Sequence, residues 1–322
     1  MFSENPGQRT VFSNKRNKCS LTPVPAVPVF MLCLFSLLAL IGFAGNAGQA
    51  AFGQSIAITE IDAYTGRENA VHMPDQLPMS RAAHGDRDIS VAWLAGATNR
   101  YSHGVLGDDL EASKLVVQLR DGSVLDFELA ASRVFEDLQP RLADLDADGN
   151  DEIIVVESDV NRGASLAVFG VVGGELSRLA GTPFLGQPHR WLNPVGVGDF
   201  DGDGRLDIAL VATPHIGGIL RLYRYQKPTL EKFAEAYGVS THSIGSTELE
   251  LGAVVPGWPR DRLLLPNQTH SELLLIEWTQ SELRESARVK LPARLSSSVI
   301  PAGDNTWLLQ LRDNRFMELK IE

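Results

Sequence analysis

The sequence predicts an all-β fold, a β-propeller of four-stranded blades, and three observations carry that expectation. Two stretches, PRLADLDADGNDEIIVVESD from Pro140 and VGVGDFDGDGRLDIALVATP from Val195, are near copies set about 55 residues apart. Apolar runs along the body are short, rich in β-branched residues and bounded by Gly, Pro, Asn and Asp, as strands are. Helical periodicity is weak, and a repeat of this length is in the range of one four-stranded blade.

The chain opens on a basic leader with Arg9, Lys15, Arg16 and Lys18, and no further charge appears until Glu60. Within that gap residues 28–45 are apolar, reading VFMLCLFSLLALIGFAG from Val29, and the small residues NAGQAAFG follow. Basic region, apolar stretch and small-residue exit describe a secretory signal, with cleavage after Ala47 or Ala50. An uncleaved signal anchor is the alternative, because the apolar run is near the shortest length that spans a bilayer. In both readings residues 1–51 are leader and signal or anchor, and residues 52–322 are exported to the periplasm or beyond. Contact with a membrane is expected only through this segment.

The body is read as successive blades. In each clear copy a short strand (141–145; 195–200) leads into an acidic loop. A fully apolar strand follows, IIVV from Ile153 and IALV from Ile208, then a turn and a third strand, SLAVFGVV from Ser165 and ILRLYRY from Ile219. These copies set blades at about 137–190 and 191–245. Fainter copies place others at 98–136, where HGVLGDDLEASKLVVQL begins at His103, and at 246–296. A fifth combines 297–322 with part of 52–97, either ITEIDA or ISVAWLAG, so that the two ends of the body share one sheet and shield its edges. LEKFAEAY from Leu230 is the one helix-like stretch, expected to decorate a connection. An open solenoid of the same repeats is the rival arrangement.

The loops carry the chemistry. DLDADGNDE places carboxylates at Asp144, Asp146, Asp148 and Glu152; DFDGDGRLD places them at Asp199, Asp201, Asp203 and Asp207. Alternate spacing on a curled backbone aims oxygens at one point, Gly149 and Gly204 permit the sharp turn, and the carbonyls of Asn150 and Arg205 can add a ligand. Hard oxygen donors in this number suit Ca²⁺. An EF-hand needs a bidentate Glu at its twelfth position and a helix beyond, whereas Val155 and Leu210 stand there within strand-like sequence.

DxDxDGxxD followed by an apolar strand, repeated in a β-rich exported chain, resembles the FG-GAP/VCBS repeats of the integrin α-subunit propeller. The resemblance implies a loop between the first two strands of a blade, holding a structural Ca²⁺ through Asp144, Asp146, Asp148, Glu152, Asp199, Asp201, Asp203 and Asp207. Glu152 departs from the usual Asp of that pattern.

The rest of the sequence bounds the function. A net charge of −11 disfavours nucleic acid, which needs clustered Lys and Arg. Both cysteines, Cys19 and Cys33, precede the body, which rules out a thiol nucleophile or a disulfide within it. No Gly-x-Ser-x-Gly, Walker loop or His-Glu-x-x-His occurs. His103, His189, Arg190, Trp191, His215 and His242 fall in connections expected on one face, opposite the acidic loops. Of these, His103, His189 and His242 are placed where the chain enters a first strand, and His215 between a second and a third. That face is the candidate surface for a protein or glycan ligand. The function expected is therefore a calcium-stabilised binding module at the cell envelope; a carbohydrate-active enzyme with a channel site is the alternative.

Overall fold

The computed structural model describes residues 54–64 and 72–322. The basic leader and apolar segment lie outside the described residues. Those described are all-β, with 21 strands and no helix.

Three sheets have four antiparallel strands each, and a fourth sheet joins two further four-stranded units. The first unit comprises β2 (Ala83–His84), β3 (Ile89–Thr98), β4 (Glu111–Leu119) and β5 (Val124–Glu128). The second comprises β7 (Arg141–Ala143), β8 (Glu152–Asp159), β9 (Gly163–Val172) and β10 (Glu175–Gly181). Strand β6 (Arg133–Phe135) pairs with β8 along its length and with β4 through Ala112 and Phe135, so one nine-stranded sheet holds both units. The third unit is β11 (Leu192–Gly198), β12 (Asp207–Ala212), β13 (Ile219–Gln226) and β14 (Thr229–Tyr237). The fourth is β15 (Ala253–Val255), β16 (Arg262–Pro266), β17 (Glu272–Trp278) and β18 (Leu283–Lys290). The fifth is β19 (Ile300–Gly303), β20 (Thr306–Gln310) and β21 (Phe316–Ile321), completed by β1 (Ile56–Ile61). Strand β1 runs antiparallel to β21, from Ile56 opposite Ile321 to Ile61 opposite Phe316.

Burial explains why the second strands read as unbroken apolar runs. Side chains alternate between the two faces of a strand. In β12, Ile208, Leu210 and Ala212 enter the core shared with the second unit, while Ala209 and Val211 enter the core shared with the fourth. Strand β16 divides likewise, Leu264 packing toward the fifth unit and Leu263 and Leu265 toward the third. A strand covered on both faces has no solvent side to carry polar residues. Fourth strands are the reverse: β18 is half-exposed or exposed throughout, and its Arg288 pairs with Glu285 at 2.6 Å and Glu272 at 2.9 Å. Charge on an outer strand discourages edge-to-edge pairing.

Three expectations are corrected. LEKFAEAY belongs to β14, a fourth strand. The first unit spans 83–128 instead of 98–136, because ISVAWLAG is its second strand, β3, and ITEIDA supplies the shared strand. His103 consequently lies between the second and third strands of its unit, not before the first.

Candidate metal loops and the opposite cleft

Both acidic loops join a unit's first strand to its second: β7 to β8 and β11 to β12. In the first loop the Asp144 carboxylate accepts the N–H groups of Asp148 and Gly149 at 3.0 and 3.1 Å, and Asp148 accepts that of Asn150 at 2.8 Å. The second loop repeats this. Asp199 accepts from Gly202, Asp203 and Gly204 at 2.8–3.0 Å, and Asp203 accepts from Arg205 at 2.9 Å. Gly149 and Gly204 take φ of 91° and 85°, where a side chain is strained.

Each curl draws carboxylates together. Oxygens of Asp144, Asp146 and Glu152 lie within 4.8 Å of one another, as do those of Asp199, Asp201 and Asp203. Asp148 is exposed and serves Asn150. Asp207, at the start of β12, is fully buried with no hydrogen-bond partner for either oxygen. Burial, with Asp201 next, pushes its pKa up to about 7 against the pull of Arg224. Burial likewise lifts Glu152 to about 7, although it accepts the Leu145 N–H at 2.8 Å. Carboxyls gathered so closely resist ionising together unless a cation joins them. Protein cations already lean in: Arg224 contacts Asp201 and reaches Asp207 at 3.6 Å, while Arg87 is 3.6 Å from Asp144 and 2.9 Å from Asp151. The donor set, all oxygen and partly unsatisfied, fits a hard divalent cation.

The connections at the opposite end of the sheets converge on a cleft of about 140 Å³, lined by His103, His189, Arg190, Trp191, His215 and Ile244 among others. These residues come from four connections, β3–β4, β10–β11, β12–β13 and β14–β15. His242 lies just beneath, 4.8 Å from the Trp191 ring between centroids. Hydrogen bonds fix its tautomer. The Ser246 carbonyl can only accept, so His242 donates from Nε2 at 2.8 Å; its Nδ1 then accepts from His215 Nε2, also at 2.8 Å. Burial holds His215 down to about 3 and His242 to about 4, so both rings are neutral at pH 7. His103 contacts the buried Glu136 carboxyl, which Ser158 also approaches, and Trp191 Nε1 donates to the Glu136 carbonyl at 2.9 Å. His189 stacks on His103 with centroids 5.0 Å apart, and its N–H donates to the Tyr101 hydroxyl at 2.8 Å.

The six face residues are thus neighbours in space. Sequence reading missed His270, which lies in the β16–β17 turn, the connection of the fourth unit equivalent to the one that carries His215 in the third. It also missed Arg224 and the buried carboxyls Glu111 and Glu136, which stand in apolar strands or connections with no motif around them.

A comparison with curated proteins found no match. Residues 144–210 match an FG-GAP-like repeat, a span that runs from the first acidic loop through the second and into β12. Repeats of this kind commonly bind calcium, in keeping with the two carboxylate clusters. The chain therefore carries the FG-GAP repeat that its two loops resemble.

Proposed function

We propose that residues 52–322 form a five-bladed β-propeller, held firm by Ca²⁺ in two loops and presenting its opposite face as the binding surface. It acts outside the cytoplasm, delivered by the N-terminal apolar segment, which is then either removed or kept as an anchor. The ligand is a protein or a glycan. The observation that carries this is the pair of carboxylate clusters, with the buried Asp207 carboxylate making no hydrogen bond next to Asp199, Asp201 and Asp203, on a loop that repeats the three side-chain-to-backbone bonds of the first. Arg224 supplies one positive charge to this cluster, yet the Asp207 pKa stays raised, and a bound divalent cation adds the compensation that remains. The five four-stranded units then supply a rigid frame, and the connections away from the metal supply the recognition groups.

Thermal melting tests the scaffold. An ion that binds only the folded state adds about 2.7 kcal/mol when present at a hundred times its Kd. Melting should rise in millimolar calcium, fall in chelator, and respond much less in Asp199→Ala. An identical melting temperature in calcium and in chelator sinks the metal reading. A glycan array and immobilised envelope fractions, probed with wild type and Arg190→Ala, test the face.

The enzyme reading draws on Glu111 and Glu136, two buried carboxyls behind the histidine cleft. It requires a hydrolase screen to return an activity that Glu136→Gln removes.

A further inference from the structure

Next to the histidine cleft, and sharing His215 and Ile244 with it, lies a second cleft of about 370 Å³ that includes Ser243, Thr269, His270, Arg294 and Arg312. Among the described residues no carboxylate lines either cleft, in a chain of net charge −11. Five separate connections build the second one: β12–β13, β14–β15, β16–β17, β18–β19 and the β20–β21 hairpin. Backbone bonds lock them together. The Arg312 N–H donates to the Arg294 carbonyl at 2.8 Å, and the Leu295 N–H donates to the His270 carbonyl at 2.9 Å. The backbones that carry two arginines and a histidine are thereby tied side by side.

Many other arginines of the body are ion-paired. Arg87, Arg133, Arg141, Arg162, Arg178 and Arg224 each pair with an acid. The nearest acid in sequence, Asp313, is taken by Arg315 at 2.6 Å. Among the described residues no carboxylate forms an ion pair with Arg294 or Arg312 within 4.0 Å, and both arginines are exposed. They are close enough to His270 that, after burial, their charges are the next causes holding its pKa down. Like charges locked together without a counter-charge cost free energy in the free protein, and that cost is recovered when an anion enters. The hydroxyl of Ser243, 3.4 Å from His270 Nδ1, and that of Thr269 add short donors at the same mouth.

We propose that this cleft binds a tetrahedral oxyanion, a phosphate or sulfate monoester, between the Arg294 and Arg312 guanidinium groups, with Ser243 and Thr269 as further donors. Guanidinium forks match the edges of such an anion. The neighbouring apolar rim, where Ile244 is 73% exposed and Ile216 61%, receives the carbon part of the same ligand. The proposal rests on reading this end of the sheets as the ligand surface, and it gives that surface a chemistry.

Calorimetric titration of the full chain, in calcium and a neutral detergent, tests it with glycerol phosphate and with a sugar sulfate as probes. Saturable binding is expected for at least one, and the stronger of the two identifies the ester. Arg294→Gln and Arg312→Gln should each weaken it about tenfold or more, the worth of one charge-assisted hydrogen bond. Arg284→Gln, which removes an exposed arginine from β18, should leave it unchanged. The proposal is overturned by no saturation up to about 10 mM, where affinity is negligible. It is equally overturned if all three variants weaken binding alike, since that is bulk charge alone. Melting of the same samples with chelator reports the metal loops separately, so failure of that reading and failure of this one are distinguishable.

Discussion

At the scale of single residues the most consequential group is one that no motif announces. Glu111 opens β4 fully buried, with no hydrogen-bond partner for either carboxyl oxygen. Burial, reinforced by the nearby Glu136 charge, raises its pKa far above the usual carboxylate value. The folded protein therefore keeps the proton that the unfolded chain gives up at about pH 4.3. Stability from this group is complete below that pH and drains away as pH rises toward the folded pKa, with a limiting slope of about 1.4 kcal/mol per pH unit. Chemical denaturation of Glu111→Gln against wild type between pH 5 and pH 9 should show wild type losing ground steadily relative to the variant. Parallel curves would place the carboxyl in a wetter site. The loop carboxylates behave differently, since a metal competes with their protons: Asp207→Asn should keep the fold yet lower the calcium-induced gain in melting temperature.

Glycines at the scale of turns separate backbone strain from crowding. Gly204 has φ of 85° and nothing within 4 Å of where a Cβ would stand. Gly204→Ala should therefore cost only the left-handed conformation, about 1 kcal/mol. Gly218, in the β12–β13 connection that carries His215, would set a Cβ 1.6 Å from the Val239 carbonyl oxygen. Gly218→Ala must push two connections apart and should cost more than about 3 kcal/mol, with loss of the cleft. Equal melting temperatures for the two variants would contradict this ranking.

The same scale shows what could be read in advance. The acidic loops and the β-branched strands after them were legible because their signals are local, a ligand spacing and a doubly covered apolar run. Strand β14 was not. Its pairing with β13 slips by one residue between Leu222 and Tyr223, so Ala234 and Lys232 face consecutive partners and Phe233 is the extra residue. That bulge changes the parity of the strand and leaves Leu230, Phe233 and Ala234 spaced as on a helix. The first unit was misplaced for a related reason. Its own β2–β3 turn, GDRD from Gly85, keeps the position of an acidic loop but not its spacing, whereas the GDD turn from Gly107 joins β3 to β4. Convergence of distant connections on the clefts leaves no trace in local sequence.

At the scale of the whole body, apolar cores join the first unit to the second and each unit to the next, and the fifth packs Trp307, Leu309, Met317 and Leu319 against the fourth. Among the described residues no such cluster joins the fifth unit to the first. Between them lies a cleft of about 470 Å³ lined by Tyr64, Arg81, Ser297 and Phe316, crossed near its edge by an Arg81–Glu250 contact of 3.8 Å. Hydrogen exchange should accordingly be fastest in the fifth unit and slowest in β8 and β12, whose residues are all buried. Removal of residues up to Glu60 should cost about 2–3 kcal/mol, the burial of the half-covered Ile56 and Ile58, and bare the β21 edge to self-association. The pairing of β1 with β21 also sets a timetable. The strand made first cannot find its partner until some 260 residues more have been synthesised, the distance from Ile61 to Ile321. Inner hairpins can form as they appear, but the clasp is necessarily late, and a chain halted anywhere upstream of Phe316 is left with an orphan strand at its beginning.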